Sequence, residues 1–284
     1  RKTATSFVSF DYKDTWVIDG SEDARTKVRR LIEMGADVIK TQDEALSKQE
    51  LAAIYDEAHR GGRHVASHIY SAEGVETALE AGLGAYDTIE HIGVNREITY
   101  SDHIVAMILE NDVVMSPTII ALEGVKMIVE DPSLLDDPTW QRDVPAADLY
   151  ADIQRSYRES DLSAHPIYQR SEADREGRFA KLRDLYERGA IFAISSDSGT
   201  RGNPHHNAMW REMVLTHQVT GMPPLDVISA ATLTNAKVLG ASEDVGTLEA
   251  GKYADIVLID GDPLADLSAM QNVHAVYKGG IEVE

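Results

Sequence analysis

Three short strand-like segments, each ending in lysine or histidine, decide the fold of this chain. They read Ala36-Asp37-Val38-Ile39-Lys40, His64-Val65-Ala66-Ser67-His68 and Ala85-Tyr86-Asp87-Thr88-Ile89-Glu90-His91. An amphipathic pattern typical of a helix precedes each segment and ends at a glycine. The last residues of the three segments are 28 and 23 residues apart. Short strands that alternate with helices at this spacing predict an α/β protein with a parallel sheet and right-handed crossovers.

The same alternation continues through two further segments. Residues 113–115 and 190–194 are short apolar runs, and the second leads into Ser195-Ser196-Asp197. The compact repeat favours a TIM-like (β/α)8 barrel, and a doubly wound open sheet is the structural alternative. We favour the barrel because polar residues stand at the predicted strand ends, and all carboxyl ends of barrel strands open onto one face.

Two regions depart from this alternation. Residues 123–172 are acidic and contain four prolines, which predicts an insertion of short helices over one end of the domain and a candidate lid over the site. Residues 253–259 and 273–283 predict strands of a different sheet, the second folded near Lys278-Gly279-Gly280. The expected domains are therefore a barrel over residues 1–242 and the C-terminal part of a small β-sandwich over residues 243–284.

The composition excludes several classes of protein. The 284 residues include 48 acidic and 27 basic ones, which gives a net charge of −21, and 43% are hydrophobic. Such a chain buries a substantial core, while its negative field argues against nucleic acid or an anionic membrane as a partner. The absence of cysteine excludes disulfides and thiolate zinc sites. No signal-peptide pattern follows Arg1-Lys2-Thr3, so the localisation stays open between cytoplasm, periplasm and secretion.

Four residues at the predicted strand ends are candidates for chemistry: Lys40, His68, His91 and Asp197. Any one of them alone is more often a structural or solvent-facing residue, but four at four strand ends are hard to explain by chance. Neutral imidazoles and a carboxylate bind Zn²⁺ or a similar divalent ion, which activates water for hydrolysis. A charged Lys40 would repel such an ion, so this residue fits only as a lysine carbamate, whose two oxygens can bridge two ions.

The residues around these positions resemble the strand-end motifs of the amidohydrolase superfamily. The matching segments are Val38-Ile39-Lys40, Ser67-His68-Ile69-Tyr70, Ile89-Glu90-His91 and Ser196-Asp197-Ser198-Gly199, followed by Ala231-Thr232 through Asn235-Ala236 and by residues 246–257. The sequence is most similar to the imidazolonepropionase-like branch, which holds metal-dependent Xaa-Pro dipeptidases. The resemblance covers about residues 17–283.

This resemblance implies a role for each candidate residue and places them on strands four to eight of the barrel. Lys40 would be carboxylated and would bridge two divalent ions, expected to be Zn²⁺, with His68 and His91 as further ligands. Asp197 would bind one ion and act as general base towards the bridging hydroxide, then deliver the proton to the leaving amine. Tyr70 would contact the substrate at the reacting carbonyl. Arg201 is a candidate for bidentate contact with a substrate carboxylate.

One feature of the family pattern is missing from the chain. The family also binds metal through a His-x-His pair on the first barrel strand, and this sequence contains no such pair. His205 and His206 are adjacent, so they cannot place both rings on one side of a strand, and we predict a loop there. We expect that about three strands with the His-x-His pair precede Arg1. The first 16 residues are then expected to be the loop after the third strand.

The function predicted from the residues and the resemblance is that of a binuclear metal-dependent hydrolase that cleaves the amide bond of a small substrate such as a dipeptide. One alternative keeps the fold but opens a cyclic amide with a single metal ion, as imidazolonepropionase-like enzymes do. Lactone or organophosphate hydrolysis on the same fold is a second alternative. A non-catalytic barrel module is a third. We expect a small-molecule partner and a homo-oligomer, with no nucleic-acid or membrane partner.

Overall fold

The computed structural model describes residues 2–5, 15–92, 99–138, 147–200 and 202–283, which form two sheets and the helices around them. The larger sheet has seven strands in the order β2-β1-β3-β4-β5-β6-β7, and the smaller has three in the order β10-β9-β8. The strands are β1 (Lys2–Thr5), β2 (Thr15–Ile18), β3 (Val38–Gln42), β4 (His64–His68), β5 (Thr88–Glu90), β6 (Val114–Ser116), β7 (Ile191–Phe192), β8 (Ile256–Ile259), β9 (Val273–Lys278) and β10 (Ile281–Val283).

The helices begin and end largely where the sequence signals predict. They are α1 (Ser21–Glu33), α2 (Lys48–Arg60), α3 (Ala72–Ala81), α4 (Asp102–Glu110), α5 (Ile120–Glu130), α6 (Ala147–Glu159), α7 (Pro166–Glu187), α8 (His205–Thr220), α9 (Pro224–Ser229) and α10 (Asn235–Val238). Helix α2 is the clearest example of a helix start set by the local sequence, since Ser47 and Glu50 form a reciprocal capping box there. None of the described helices is long and apolar enough to cross a membrane.

Five consecutive parallel strands, β3 to β7, form the part of the larger sheet that the sequence predicts. Their alternate residues, including Ile39, Val65 and Ile89, are buried in the core between the sheet and its helices. In the described part of the chain this sheet is an open row that ends at β7. The parallel α/β organisation is therefore confirmed, and closure into a (β/α)8 barrel stays a prediction.

The expectation of a loop over the first 16 residues is wrong for the described ones. Residues 2–5 and 15–18 are the strands β1 and β2, which pair antiparallel, and β1 also pairs antiparallel with β3. Residues 6–14 lie outside the described residues. The pairing has a clear physical reason, because the outer edge of β3 carries backbone N–H and C=O groups that a neighbouring strand can satisfy.

Two other expectations about local structure need correction. His205 and His206 are not in a loop but are the first residues of α8, which starts after Pro204 in an extended conformation. The predicted insertion over residues 123–172 also has different limits. Its first residues belong to α5 and its last to the 22-residue helix α7, which begins at Pro166. Proline supports a helix start because its fixed φ suits the first turn and its missing N–H is not needed there.

The C-terminal strands form a separate antiparallel sheet, as predicted. β9 pairs with both β8 and β10, and the turn between β9 and β10 falls at Gly279-Gly280. A short 3₁₀ helix, Leu267–Gln271, links β8 to β9 and places Leu267 in the main apolar core. The division into domains at residues 242 and 243 stays a prediction.

The side chain of Asp87 links neighbouring elements of the parallel sheet by hydrogen bonds. This carboxylate is fully buried and accepts hydrogen bonds from the backbone N–H of Val65 at 2.7 Å and of Gly84 at 2.8 Å. His59 on α2 lies 2.8 Å away, and its hydrogen bond to Asp87 raises the pKa of the imidazole. A single side chain therefore joins α2, β4 and the turn before β5.

We expect Asp87→Ala to lower the free energy of unfolding by about 3 kcal/mol, because two buried N–H groups lose their acceptor. Urea unfolding followed by circular dichroism measures this change. Asp37→Ala, at an exposed carboxylate, is the matched control and should shift stability by less than about 0.5 kcal/mol. Equal midpoints for the two variants would show that Asp87 has no such structural role.

Candidate active site

The four candidate residues lie near the carboxyl ends of the parallel strands, but not all at the position predicted. His68 is the last residue of β4, and His91 directly follows β5. Asp197 follows Phe192, the last residue of β7, by five residues. Lys40 is not at the end of its strand, because β3 continues to Gln42 through full parallel pairing with β4. Lys40 therefore lies two residues deeper in the sheet than the sequence pattern suggests.

The structure brings His68, His91 and Asp197 together. The imidazole centroids of His68 and His91 are 4.5 Å apart, and Nδ1 of His91 lies 4.0 Å from Oδ2 of Asp197. Nδ1 of His91 is also hydrogen-bonded to the hydroxyl of Thr118 at 2.9 Å. This contact orients the ring through Nδ1, so Nε2 is the ring nitrogen that would bind a metal ion.

Lys40 lies near the same cluster and is paired with Glu90, a residue that the sequence pattern did not reveal as part of the site. The Lys40 Nζ atom lies 4.0 Å from Oε2 of Glu90, and both side chains are largely buried. Glu90 also accepts hydrogen bonds from the hydroxyls of Thr88 and Ser116. A glutamate at the end of a predicted buried strand was the available signal, since a buried carboxylate requires partners.

The backbone is strained at three of these strand ends. His91, Thr118 and Asp197 have positive φ values of 60°, 47° and 50°. The left-handed region is unfavourable for residues other than glycine, most of all for a β-branched one such as Thr118. Such strain persists only where the surroundings fix it, and it concentrates at functional sites. It marks Thr118 as a member of the site that the sequence pattern did not reveal.

Burial sets the protonation of the cluster. It lowers the pKa of His68 to about 3 and that of His91 to about 3, and the nearby positive charge of Lys40 acts in the same direction. Both imidazoles are therefore neutral at pH 7, the form that binds metal ions. Burial raises the pKa of Asp197, with Lys40 opposing and Glu90 adding to the rise.

The two predicted substrate contacts have different outcomes. The ring of Tyr70 packs edge-on against His68 with centroids 4.4 Å apart, and 42% of the tyrosine is exposed. Its backbone N–H donates to Oε1 of Glu44 at 2.9 Å, which fixes the start of the loop after β4. Tyr70 is thus next to the cluster and accessible. Arg201 lies outside the described residues.

The side chains present suit a divalent ion by their chemistry. Two neutral imidazoles and a carboxylate are the usual nitrogen and oxygen ligands of zinc, and Lys40 joins them if its charge is removed. Within the described ranges, no three His, Asp or Glu side chains already converge tightly enough to hold an ion. The donor types therefore fit a metal, while the closely spaced set of ligands is not formed by these residues alone.

The chain is similar to several known proteins. The sequence matches the amidohydrolase family over residues 4–283. An ochratoxinase from Aspergillus niger is 24% identical over 281 residues, which cover 93% of this chain and 50% of that protein. An imidazolonepropionase from Shouchella clausii is 33% identical over 104 residues, which cover 36% of this chain and 23% of that protein.

A solved structure shares the fold. The crystal structure of a Xaa-Pro dipeptidase with bound methionine in the active site superposes with a TM-score of 0.70 and 24% identity, covering 99% of this chain and 63% of that one. The chain spans about half the length of the ochratoxinase and less than two thirds of the dipeptidase.

We expect the imidazole resonances of His68 and His91 in metal-free protein to stay unchanged between about pH 5 and pH 8 in an NMR titration. His59 is the internal control, because its hydrogen bond to Asp87 raises its pKa, so it takes up a proton at a higher pH than His68 and His91 do. The folded protein takes up protons at His68 and His91 only near pH 3, whereas the unfolded chain does so near 6.5. The free energy of unfolding therefore falls as the pH is lowered through this window. Titration of either cluster histidine near pH 6.5 would contradict the burial argument.

Proposed function

Because this chain belongs to the amidohydrolase family, we propose that the protein carrying it is a metal-dependent hydrolase that cleaves the amide bond of a small substrate such as a dipeptide. The observation that supports this most is the meeting of His68, His91 and Asp197 at one edge of the parallel sheet. Lys40 lies close enough for its charge to act on all three. The solved Xaa-Pro dipeptidase has the same fold, which is compatible with a dipeptide substrate.

We propose that β3 to β7 are strands four to eight of a (β/α)8 barrel. The likeness in fold to the dipeptidase supports this, as does the side on which the polar residues gather. The antiparallel sheet β8 to β10 is then part of the small β-sandwich domain. In such a barrel the carboxyl ends of the strands form the substrate-binding face.

His68, His91, Asp197 and a carboxylated Lys40 are the residues that would hold divalent ions, with Zn²⁺ as the expected metal. When bound, such ions supply an activated water at neutral pH and polarise the scissile carbonyl. The burial of His68 and His91 keeps both imidazoles neutral. Thr118 fixes the ring of His91 through Nδ1. Carboxylation of Lys40 requires this residue to leave its ion pair with Glu90, since only the uncharged amine reacts with carbon dioxide.

Asp197 is the proposed proton carrier. Its carboxylate lies beside His91 and its side chain is 40% exposed, so it is open to both the cluster and the substrate side. Burial raises its pKa, which makes the carboxyl group a better proton acceptor than an ordinary aspartate. Asp197 would take a proton from the attacking water and give it to the leaving amine.

Tyr70 and Arg201 are the proposed substrate contacts. The phenol ring of Tyr70 is held against His68 and is partly open to solvent, so its hydroxyl could donate a hydrogen bond to the reacting carbonyl. Arg201 follows Asp197 closely in sequence and would meet a substrate carboxylate. We further propose a homo-oligomer, which light scattering tests directly.

Ring opening of a cyclic amide is the second candidate reaction. The similarity to an imidazolonepropionase over 104 residues favours it. The presence of Lys40, which can bridge two ions once carboxylated, favours the dipeptidase reaction instead. The number of bound metal ions and a panel containing both substrate types distinguish the two reactions.

We expect Asp197→Asn to lower kcat on the amide substrate about 10²- to 10⁴-fold, because the amide side chain cannot carry the proton. Steady-state kinetics with added Zn²⁺ measures this loss. Asp112→Asn is a matched control, since Asp112 is an exposed aspartate whose φ of 51° is almost the same as that of Asp197. Wild-type kcat in Asp197→Asn, or an equal loss in Asp112→Asn, would remove Asp197 from the mechanism.

We expect Lys40→Ala to lose bound metal and activity, because the bridging carbamate is removed. Metal content by mass spectrometry and turnover on dipeptides are the measurements, and Lys48→Ala, at an exposed lysine paired with Glu80, is the control. Added short carboxylic acids should restore part of the activity by replacing the carbamate oxygens. A wild-type protein that binds no divalent ion would overturn the proposed function as a whole.

A further inference from the structure

The segment that follows Asp197 is tightly held by its own hydrogen bonds. We call residues 197–204 the Asp197 loop. Within its described residues, the N–H of Gly199 donates to the carbonyl of Asn203 at 2.9 Å, and the N–H of Asn203 donates to the carbonyl of Thr200 at 3.0 Å. The hydroxyl of Thr200 donates to the carbonyl of Asp197 at 3.0 Å. These bonds fix Asp197 relative to the rest of the loop.

The loop is also attached to the inserted helix α6. The backbone N–H of Gly202 donates a hydrogen bond to the hydroxyl of Tyr157 at 2.6 Å. Tyr157 packs beside a second apolar cluster, distinct from the main core, whose buried members are Val125, Ile128, Leu135 and Leu162. The hydroxyl is therefore presented by a packed side chain.

A close contact between two backbones forms the other attachment. A Cβ atom on Gly124 of α5 would lie 2.4 Å from the carbonyl oxygen of Gly202, so only glycine permits this approach. Gly202 itself has a φ of 78°, which strains any other residue. The loop thus rests directly on the backbone of α5.

Helix α5 is itself held on two sides. Glu123, the residue before Gly124 in α5, is buried and pairs with Arg178 at 3.3 Å and with Arg175 at 3.0 Å on α7. The carboxylate of Glu212 on α8 accepts hydrogen bonds from the N–H groups of Ile119 and Ile120 at the start of α5. Because α5 is fixed in this way, its contact with Gly202 also fixes the position of the Asp197 loop.

We propose that Tyr157 and Gly124 are positioning residues, which act through Gly202 to hold Asp197 in its productive place. The inference rests on the proposed function, since it assigns Asp197 to the reaction. It gives the inserted residues a role in supporting the catalytic loop from behind. Neither Tyr157 nor Gly124 need contact the substrate for this role.

We expect Tyr157→Phe to lower kcat about tenfold with KM unchanged, because the loop loses one hydrogen bond and Asp197 samples unproductive positions. Tyr150→Phe is the matched control. Tyr150 lies on the same helix and packs beside the same apolar cluster, but its hydroxyl donates to the carbonyl of Asp137 within the insertion. A merely structural role of Tyr157 would lower the melting temperature of Tyr157→Phe but leave its kcat at the wild-type value.

Gly124→Ala tests the second attachment independently. Alanine favours the helix, yet its methyl group must displace the backbone of Gly202, so we expect a lower kcat together with a slightly lower melting temperature. Gly84→Ala is the control, because its added Cβ meets no atom closer than 3.7 Å. A wild-type kcat in Gly124→Ala would argue against the contact as a positioning device.

Amide exchange at Gly202, followed by NMR, separates this inference from the proposed function. We expect faster exchange in Tyr157→Phe than in Tyr150→Phe or the wild type. If the wild-type protein turns over no amide substrate with added Zn²⁺, the proposed function fails, whereas the exchange result still decides whether Tyr157 anchors the loop. Unchanged exchange together with unchanged kcat in both Tyr157→Phe and Gly124→Ala would overturn the inference.

Discussion

The parallel register of β3 to β7 is the constraint on which the site depends. It pairs Gln42 with His68, His68 with Glu90, and Glu90 with Ser116, so residues far apart in sequence share one edge of the sheet. Because side chains alternate along a strand, a shift of one residue would exchange this row for the buried row beside it, which consists of Thr41, Ser67, Ile89 and Met115. The register is held by burial of that neighbouring row, so the core that stabilises the sheet also aligns the polar cluster. The alignment of the polar residues at the carboxyl ends of the strands is thus a consequence of packing in the core of the sheet.

Electrostatics at this edge are set by the balance between one lysine and the groups around it. The positive charge of Lys40 is offset by Glu90 and helps to lower the pKa values of His68 and His91. An ammonium group here would repel a metal ion, so the ion pair and a metal site that includes Lys40 are mutually exclusive arrangements. The proposed carboxylation would turn Lys40 from a partner of Glu90 into a second anion beside it. The proposed carbamate then needs the charge of bound cations to be stable, which couples modification of Lys40 to metal binding.

How much of this could be predicted from sequence depends on whether the signal is local. The capping box at Ser47 and Glu50, the order of strands and helices, and the convergence of His68, His91 and Asp197 follow from short patterns and from the geometry of parallel sheets. The pairing of β1 with β3 does not, because it depends on an open sheet edge formed by distant residues. The depth of Lys40 in β3 depends on how far β4 pairs with it. Thr118 and Tyr157 belong to loops and helices with no motif, so only the folded chain shows what they touch.

Helix α5 contacts the surroundings of both His91 and Asp197. The strained residue Thr118 precedes its first turn and orients His91, while Gly124, one turn further on, supports the loop that begins at Asp197. A displacement of α5 would therefore move the imidazole and the carboxylate together. The buried Glu212 makes such a displacement costly, because the two N–H groups at the start of the helix would lose the carboxylate that accepts their hydrogen bonds. Residues that do not contact the substrate can in this way set the distance between His91, a proposed metal ligand, and Asp197, the proposed base. The packing of the inserted helices against α5 would therefore serve the proposed reaction.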